Sequence, residues 1–337
     1  MSDTDLSMTP QRILVIQTAF LGDAILATSL LESLHSRYPQ AQLDFLVRKG
    51  HEGLFNNHPF IHLVLTWNKK KNRYRGLWEL LLTIRSRRYD QVITLQRFAS
   101  TGFLTAFSGA GERIGFDKNP LSWKFSRKVK HVLKEGTHEI QRNQALIENQ
   151  ASGIAPQPRL YPTEADHASV LPYQKGPYIC VAPASVWFTK QYPEDKWVDL
   201  INKLPAEYAI HIIGSPDDRA LGERLLKRSS RKGVNNLCGK LSFLQSAALM
   251  KGATMNYVND SAPMHIASAM NAPVCSIYCS TVPAFGFGPL SDHSYMVETT
   301  EPLTCRPCGL HGFKQCPKGH FNCARGIQTG QLLEVLN

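Results

Sequence analysis

Several loops in this sequence carry side chains suited to chemistry, each directly after a short apolar run. Thr18-Ala-Phe-Leu-Gly22-Asp23 follows the first such run. At the end of a strand, Asp23 can accept a proton or a hydrogen bond from a ligand, and Gly22 allows close backbone approach and an awkward angle. The same place also suits an Asp that only caps a helix. In Ala182-Pro-Ala-Ser185-Val-Trp-Phe-Thr189-Lys190-Gln-Tyr-Pro193, one cation and the hydroxyls of Ser185 and Thr189 would meet a phosphate. A solvated lysine beside a helix cap fits that pattern too. Asn259-Asp260-Ser261-Ala262-Pro263-Met264-His265 opens a helix: Asp260 or Ser261 suits the cap, Pro263 the first turn, and the uncovered N–H groups make an anion site that fits a diphosphate. His265 lies on that helix with Ile266 and Ala269 and equally fits a core histidine. Gly214-Ser-Pro216-Asp217-Asp218 ends a further run, where one of the two carboxylates would read ribose hydroxyls. Neither Gly-x-Gly-x-x-Gly nor a P-loop is present.

Two further groups stand apart. Cys305-Arg-Pro-Cys308, then seven residues to Cys316 and six to Cys323, with His311 and His320 nearby, offers four thiols to a structural zinc or iron ion. Free thiols or a disulfide pair are the alternatives. Cys180, Cys238, Cys275 and Cys279 are scattered singly in or beside apolar runs and are expected in the core. The second group is basic. Lys69, Lys70, Lys71, Arg73, Arg75, Arg85, Arg87 and Arg88, then Arg113, Lys118, Lys124, Arg127, Lys128, Lys130 and Lys134, are interleaved with Tyr74, Trp78, Trp123 and Phe125. Such a surface suits an anionic membrane. A single-stranded nucleic acid is the rival partner, although no nucleic-acid motif supports it.

The elements that must position these residues follow a simple grammar. Strand-like runs at 12–17, 42–47, 63–65 and 91–95 alternate with helical spacing at 24–37, 77–87, 100–108 and 138–150, which predicts parallel βαβ units. From 156 to 177 five prolines argue against helix or central strand and mark a linker. The alternation then restarts, with strands expected at 178–182, 209–213, 254–259 and 274–278 and helices at 195–204, 217–228, 243–251 and 262–270. A chain of 337 residues with 43% apolar and 19% charged side chains is large enough for two cores. The expectation is two doubly wound, Rossmann-like α/β domains, 1–160 and 161–337, facing a cleft, with ligands at the carboxyl ends of their strands. The formal charge of +11 sits mostly in the first half, which has 22 basic and 13 acidic residues against 16 and 14 in the second. No run approaches the roughly 18 apolar residues of a membrane span, and the start MSDTDLSMTPQ is polar, so a cytoplasmic protein is expected.

Taken together, Phe-Leu-Gly22-Asp23, Lys190-Gln-Tyr-Pro193, Gly239-Lys240-Leu241, the Asn259–His265 loop and the tail from Cys305 to Cys323 resemble glycosyltransferase family nine, the ADP-heptose:lipopolysaccharide heptosyltransferases. The resemblance runs from about residue 12 to the C-terminus and rests on the order of the motifs. It implies a GT-B fold and inverting transfer of heptose from ADP-heptose to a phosphorylated lipopolysaccharide inner-core acceptor, without a catalytic cofactor, at the inner membrane. It implies Asp23 as general base. Lys190 and Ser185, with Thr189, would hold the diphosphate; Asp260 would bind heptose hydroxyls, and the backbone of Ser261, Ala262 and Pro263, beside His265, the phosphates. Asp217 or Asp218 would meet the ribose, and Gly239, Lys240 and Leu241 the adenine side. Gly22, Gln96, Arg97 and Ser100 would face the acceptor. Two departures are visible: Ala262-Pro263 stand where the family usually has Gly followed by Leu or Met, removing one N–H from the phosphate site, and Val186-Trp187-Phe188 is unusually apolar. Another nucleotide sugar, or a protein or glycan acceptor, is compatible with the same fold; a nucleic-acid binder is the rival of a different class.

Overall fold

The computed structural model describes residues 9–69, 73–132, 136–148 and 155–336. Lys70, Lys71 and Lys134 of the basic group, and the side chain of Arg73, lie outside the described residues. The chain divides into two compact units, one of residues 1–134 and 139–158, the other of 135–138 and 159–337.

The first unit is a six-stranded parallel sheet of β1 (Arg12–Gln17), β2 (Gln42–Arg48), β3 (Ile61–Trp67), β4 (Gln91–Thr94), β5 (Glu112–Phe116) and β6 (Arg127–Val129), in the order β3-β2-β1-β4-β5-β6. Its helices are α1 (Leu21–Leu26), α2 (Thr28–Arg37), α3 (Arg73–Ser86), α4 (Ala99–Ala106) and α5 (Glu139–Gln144). β1 is buried from Ile13 to Gln17 because helices cover both faces of a parallel sheet, and this is why it reads as an unbroken apolar run. Val15 pairs in register with Phe45 on one side and Ile93 on the other. The single helix expected at 24–37 is two. Thr28 Oγ1 donates to Ile25 O at 2.6 Å, a local bond that competes with the helical ladder where α1 gives way to α2.

The second unit repeats the plan with β7 (Tyr178–Ala182), β8 (Ala209–Ile212), β9 (Val234–Asn236), β10 (Met255–Asn259), β11 (Val274–Tyr278) and β12 (Ser294–Glu298), all parallel, in the order β12-β11-β10-β7-β8-β9. Its helices are α6 (Glu164–Val170), α7 (Glu194–Lys203), α8 (Arg219–Arg228), α9 (Phe243–Lys251), α10 (Ala262–Ala269), α11 (Asn322–Arg325) and α12 (Thr329–Leu333). α6 corrects the expectation of an irregular linker. The stretch between Pro162 and Pro172 is proline-free, and Thr163 and Asp166 form a reciprocal cap, Asp166 N–H to Thr163 Oγ1 at 3.2 Å and Thr163 N–H to Asp166 Oδ2 at 2.9 Å. Trp197 is fully buried edge-on to Tyr192, ring centroids 5.4 Å apart, and its truncation to Ala would cost about 3–5 kcal/mol. Tyr257 on β10 donates to Leu332 O at 2.7 Å, so the C-terminal turn of α12 is fastened to the strand that carries Asp260. Cys180, Cys238, Cys275 and Cys279 are all buried, as expected. No helix among the described residues is long and apolar enough to cross a membrane.

Candidate functional site

In each sheet the strand order reverses once, between β1 and β4 in the first unit and between β7 and β10 in the second. Loops that leave such a switch point diverge and open a crevice beyond the strand ends.

In the first unit, β1 delivers Asp23 and β4 delivers Gln96 and Arg97. Asp23 occupies the third position of α1, half-buried, and accepts the Phe20 N–H at 3.1 Å on Oδ2. Gly22 is a buried helical residue, so the awkward backbone angle expected there is not adopted. Gln96 is buried, and its Oε1 accepts both Thr18 N–H (3.2 Å) and Thr18 Oγ1 (2.7 Å), locking the ends of β1 and β4 together, while its Nε2 has no hydrogen-bond partner among the described residues. Arg97 is exposed and Ser100 half-buried in the first turn of α4. A carboxylate that the sequence did not single out also belongs here. Glu139 opens α5 and pairs with Arg142, whose Nη2 and Nε lie 2.8 and 2.9 Å from Glu139 Oε2, both side chains being largely buried. Burial pushes its pKa up to about 7 against the pull of Arg142, and the charge of Asp23 adds to the rise. His131 lies in the same neighbourhood and is pushed down to about 4 by burial, then by Arg97 and Arg142.

In the second unit, three adjacent strand ends meet. Lys190 (after β7) places Nζ 2.7 Å from Oδ2 of Asp260 (after β10), and Thr281 (after β11) donates its hydroxyl to the same oxygen at 2.6 Å. Lys190 and Asp260 are 14% and 8% exposed, so the pair is largely desolvated. Ser261 is the N-cap residue of α10, yet its hydroxyl does not cap the helix and lies instead against Ala184 O (3.4 Å) and Asn259 O (3.3 Å). The helix therefore begins with its first N–H groups uncapped by Ser261, and Pro263 removes one of them. Asn259 ties the two loops, accepting Tyr192 N–H at 3.0 Å and donating to Pro183 O at 2.7 Å. Ser185, in the loop after β7, and Ala262, at the start of α10, are both half-buried. His265 is buried with Nδ1 unpartnered, and burial pushes its pKa down to about 3 with Asp260 opposing, so it is neutral at physiological pH.

Two sequence expectations change. Thr189 is 1% exposed and its Oγ1 accepts from Ser280 Oγ (2.9 Å) and Phe313 N–H (2.7 Å); burial and these bonds remove it from the donor-contacting set. Of the two candidate ribose acceptors, Asp218 is consumed by a cap, accepting Ser215 N–H (2.8 Å) and Oγ (2.6 Å), and Asp217 is the exposed one. Gly239, in the left-handed region at φ +72°, brings its loop against Pro216, with Lys240 exposed and Leu241 half-buried beside it. Thr281 was missed, though the hydroxyl pair Ser280-Thr281 after an apolar run carried the same signal as Ser185 and Thr189.

The basic surface is smaller than its residue count. Arg113 is spent on Lys124 O (3.1 Å) and Ala110 O (2.6 Å), Arg127 on Leu146 O, and Phe125 is buried. Tyr74, Trp78 and Leu82 remain exposed along one side of α3, and Trp123 is exposed with Lys124 Nζ 4.8 Å from its ring. In the cysteine segment, Cys305, Cys308 and Cys316 are half-buried and Cys323 buried, all as free thiols. Burial raises the Cys308 and Cys323 thiols, and the other cysteines add to the rise; Cys305 Sγ lies 3.8 Å from His320 Nε2. The donor types suit zinc or iron, but among the described residues no three His, Cys, Asp or Glu side chains are gathered as a metal ion requires. The four thiols nevertheless lie in one neighbourhood, since Cys308 feels the charge of Cys305 and Cys316, and Cys323 that of all three others.

Comparison with known proteins identifies the family and the fold. Residues 77–310 match the family Glycosyltransferase family 9 (heptosyltransferase). The chain is 25% identical over 281 residues to lipopolysaccharide heptosyltransferase 3 of Escherichia coli, covering 78% of this chain and 82% of that one. Among solved structures, the glycosyl transferase family 9 protein of Veillonella parvula superposes with a TM-score of 0.83 at 20% identity, and E. coli ADP-heptose lps heptosyltransferase II with 0.79 at 21%, each covering 97% of both chains. The two parallel sheets are the pair of Rossmann-like domains of a GT-B fold. With its switch-point loops in both units and a family match over most of its length, the chain belongs to glycosyltransferase family 9, the heptosyltransferases.

Proposed function

We propose that this enzyme transfers heptose from ADP-heptose, with inversion, to a phosphorylated inner-core lipopolysaccharide acceptor at the cytoplasmic face of the inner membrane. The observation that carries the reading is the Lys190–Asp260–Thr281 cluster at the β7/β10 switch point, beside the start of α10. A lysine and helix N–H groups suit a diphosphate, and a carboxylate held by a hydroxyl suits sugar hydroxyls.

In this reading Asp23 takes the proton from an acceptor hydroxyl as that oxygen attacks the anomeric carbon. The bond from that carbon to the phosphate oxygen breaks, ADP leaves with the electron pair, and Lys190 offsets the charge that develops on it. Ser185 and the Ser261–Pro263 backbone complete the phosphate contacts; Asp217 meets the ribose and Leu241 the adenine. Arg97, Ser100 and the free Nε2 of Gln96 face the acceptor. The exposed rings of α3 and Trp123, with Lys124, Arg85 and Arg75, supply an amphipathic face for anionic lipid.

The test is ADP release by the purified protein with ADP-heptose and a heptose-deficient core acceptor, beside a panel of other nucleotide sugars. Turnover that needs both substrates supports the reading. Turnover with a different nucleotide sugar would reassign the donor, and salt-sensitive binding of RNA or DNA with no thermal shift from ADP would refute a transferase.

A further inference from the structure

The cysteine-bearing segment is bonded to the loop that carries Lys190. Thr189 N–H donates to Phe313 O at 3.1 Å while Phe313 N–H returns a bond to Thr189 Oγ1 at 2.7 Å. From the β11 side, Ser280 N–H donates to Thr189 O at 3.2 Å and Ser280 Oγ to Thr189 Oγ1 at 2.9 Å, and Ser280 O in turn accepts Cys308 N–H at 2.8 Å. Gly312 sits at φ +76°, and a Cβ there would lie 2.8 Å from Thr189 Oγ1 and 3.1 Å from Lys190 Cγ. Phe188, on the other side of Thr189, packs its ring 5.1 Å from that of Phe321. The partner of the lysine is held from the same segment: Arg306 Nη2 donates to Thr281 O at 2.7 Å, and Thr281 holds Asp260.

We propose that residues 306–313 are the positioning element of Lys190, acting through Gly312 and Phe313 on Thr189, so that Thr189 is a positioning residue and the cysteine segment is part of the donor site. The proposal rests on the reading that Lys190 meets the diphosphate. A lysine head on four rotatable bonds is directed only as well as its backbone is fixed, and a misplacement of about 1 Å at a reacting group costs on the order of a hundredfold. Thr189 is buried and far in sequence from the residues that hold it, which is what a positioning contact looks like and what a ligand contact does not.

The experiment is a double-mutant cycle read by ADP titration of the full chain, with unfolding temperature recorded for each variant. Thr189→Val and Gly312→Ala are each expected to weaken ADP binding by about tenfold, Thr189→Ser to stay within about twofold of the parent, and Lys190→Gln to lose about tenfold or more. The decisive readout is Gly312→Ala combined with Lys190→Gln. If the segment acts through the lysine, the double variant binds ADP no more weakly than Lys190→Gln alone; losses that multiply would mean that the two act independently and would overturn the proposal. Wild-type affinity in both Thr189→Val and Gly312→Ala would overturn it as well. Unchanged affinity in Lys190→Gln itself fails the underlying assignment of the lysine, a result separate from any behaviour of Gly312.

Discussion

Asp23 has one observed contact and one proposed chemical role, and a single substitution can separate them. As third residue of α1 it accepts the Phe20 N–H at 3.1 Å, a capping contact whose loss to Ala costs about 1 kcal/mol. As proposed base it supplies about 10²–10⁴ in rate, which is about 2.7–5.4 kcal/mol of barrier. Asn keeps an acceptor oxygen for Phe20 but cannot take a proton. Asp23→Asn should therefore unfold within about 0.5 kcal/mol of the parent and bind ADP normally while losing about a hundredfold or more in kcat. Asp23→Ala should lose the same activity and about 1 kcal/mol of stability besides. Denaturant unfolding, ADP titration and ADP release under saturating substrates measure the three quantities on one preparation. Turnover of Asp23→Asn within about tenfold of the parent, or ADP affinity falling in step with kcat, would refute the argument and leave Asp23 as a cap.

Replacing Lys190 by Met leaves Asp260 desolvated without its partner, so stability should drop by about 3–5 kcal/mol and recover in large part when Asp260→Asn is added; an undiminished loss in the double variant would mean that the pair is not the cause. Glu139 has a folded pKa near 7, above the ordinary carboxyl value, so its protonated form is favoured by folding: the stability it contributes is present at low pH and is lost as pH rises from about 4.5 to 7. The stability difference between the parent and Glu139→Gln should shift by about 3 kcal/mol across that window in paired urea titrations, and a difference that is flat with pH contradicts the raised value. Trp78→Ser should leave stability within about 0.5 kcal/mol and weaken binding to vesicles containing phosphatidylglycerol; unchanged vesicle binding would remove α3 from the lipid-facing surface. Elemental analysis should return no stoichiometric metal, with native thiol titration modifying Cys305 and Cys316 well before the buried Cys323, whereas one zinc or iron per chain would show that the segment closes around an ion.

The strands buried on both faces were legible to the residue. Apolar side chains dominate Arg12–Gln17, Tyr178–Ala182 and Val274–Tyr278 because helices cover both sides of each sheet. β5, β6, β9 and β12 gave no such apolar run and were not anticipated; β6, β9 and β12 lie at sheet edges, where one side needs no partner, while β5 is interior and its sequence is broken by Glu112, Arg113 and Gly115. The loops after the strands were legible for the same reason the sheets were, since a parallel strand must end in a loop at one pole. The division of labour within those loops was not. Thr189 and Asp218 looked like ligand groups, and what removes them is a contact 124 residues away in one case and a three-residue cap in the other. Glu139 gave no sequence signal because its character comes from burial beside Arg142 and Asp23, not from spacing.

The convergence of Lys190 and Thr281 on one oxygen of Asp260 bears on how the loop behaves between turnovers. The cation carries its own counter-ion, so an anion that binds there must first displace a carboxylate. An inorganic anion that takes the lysine strands the carboxylate, while a ligand bearing both a diphosphate and sugar hydroxyls gives each of them a replacement. On the proposed assignment, once the sugar has departed the remaining nucleotide would satisfy only the lysine, and the carboxylate would compete to reclaim it. If Lys190 and Asp260 hold the donor as proposed, the resting ion pair would favour the loaded donor over the spent one and would help to expel the latter.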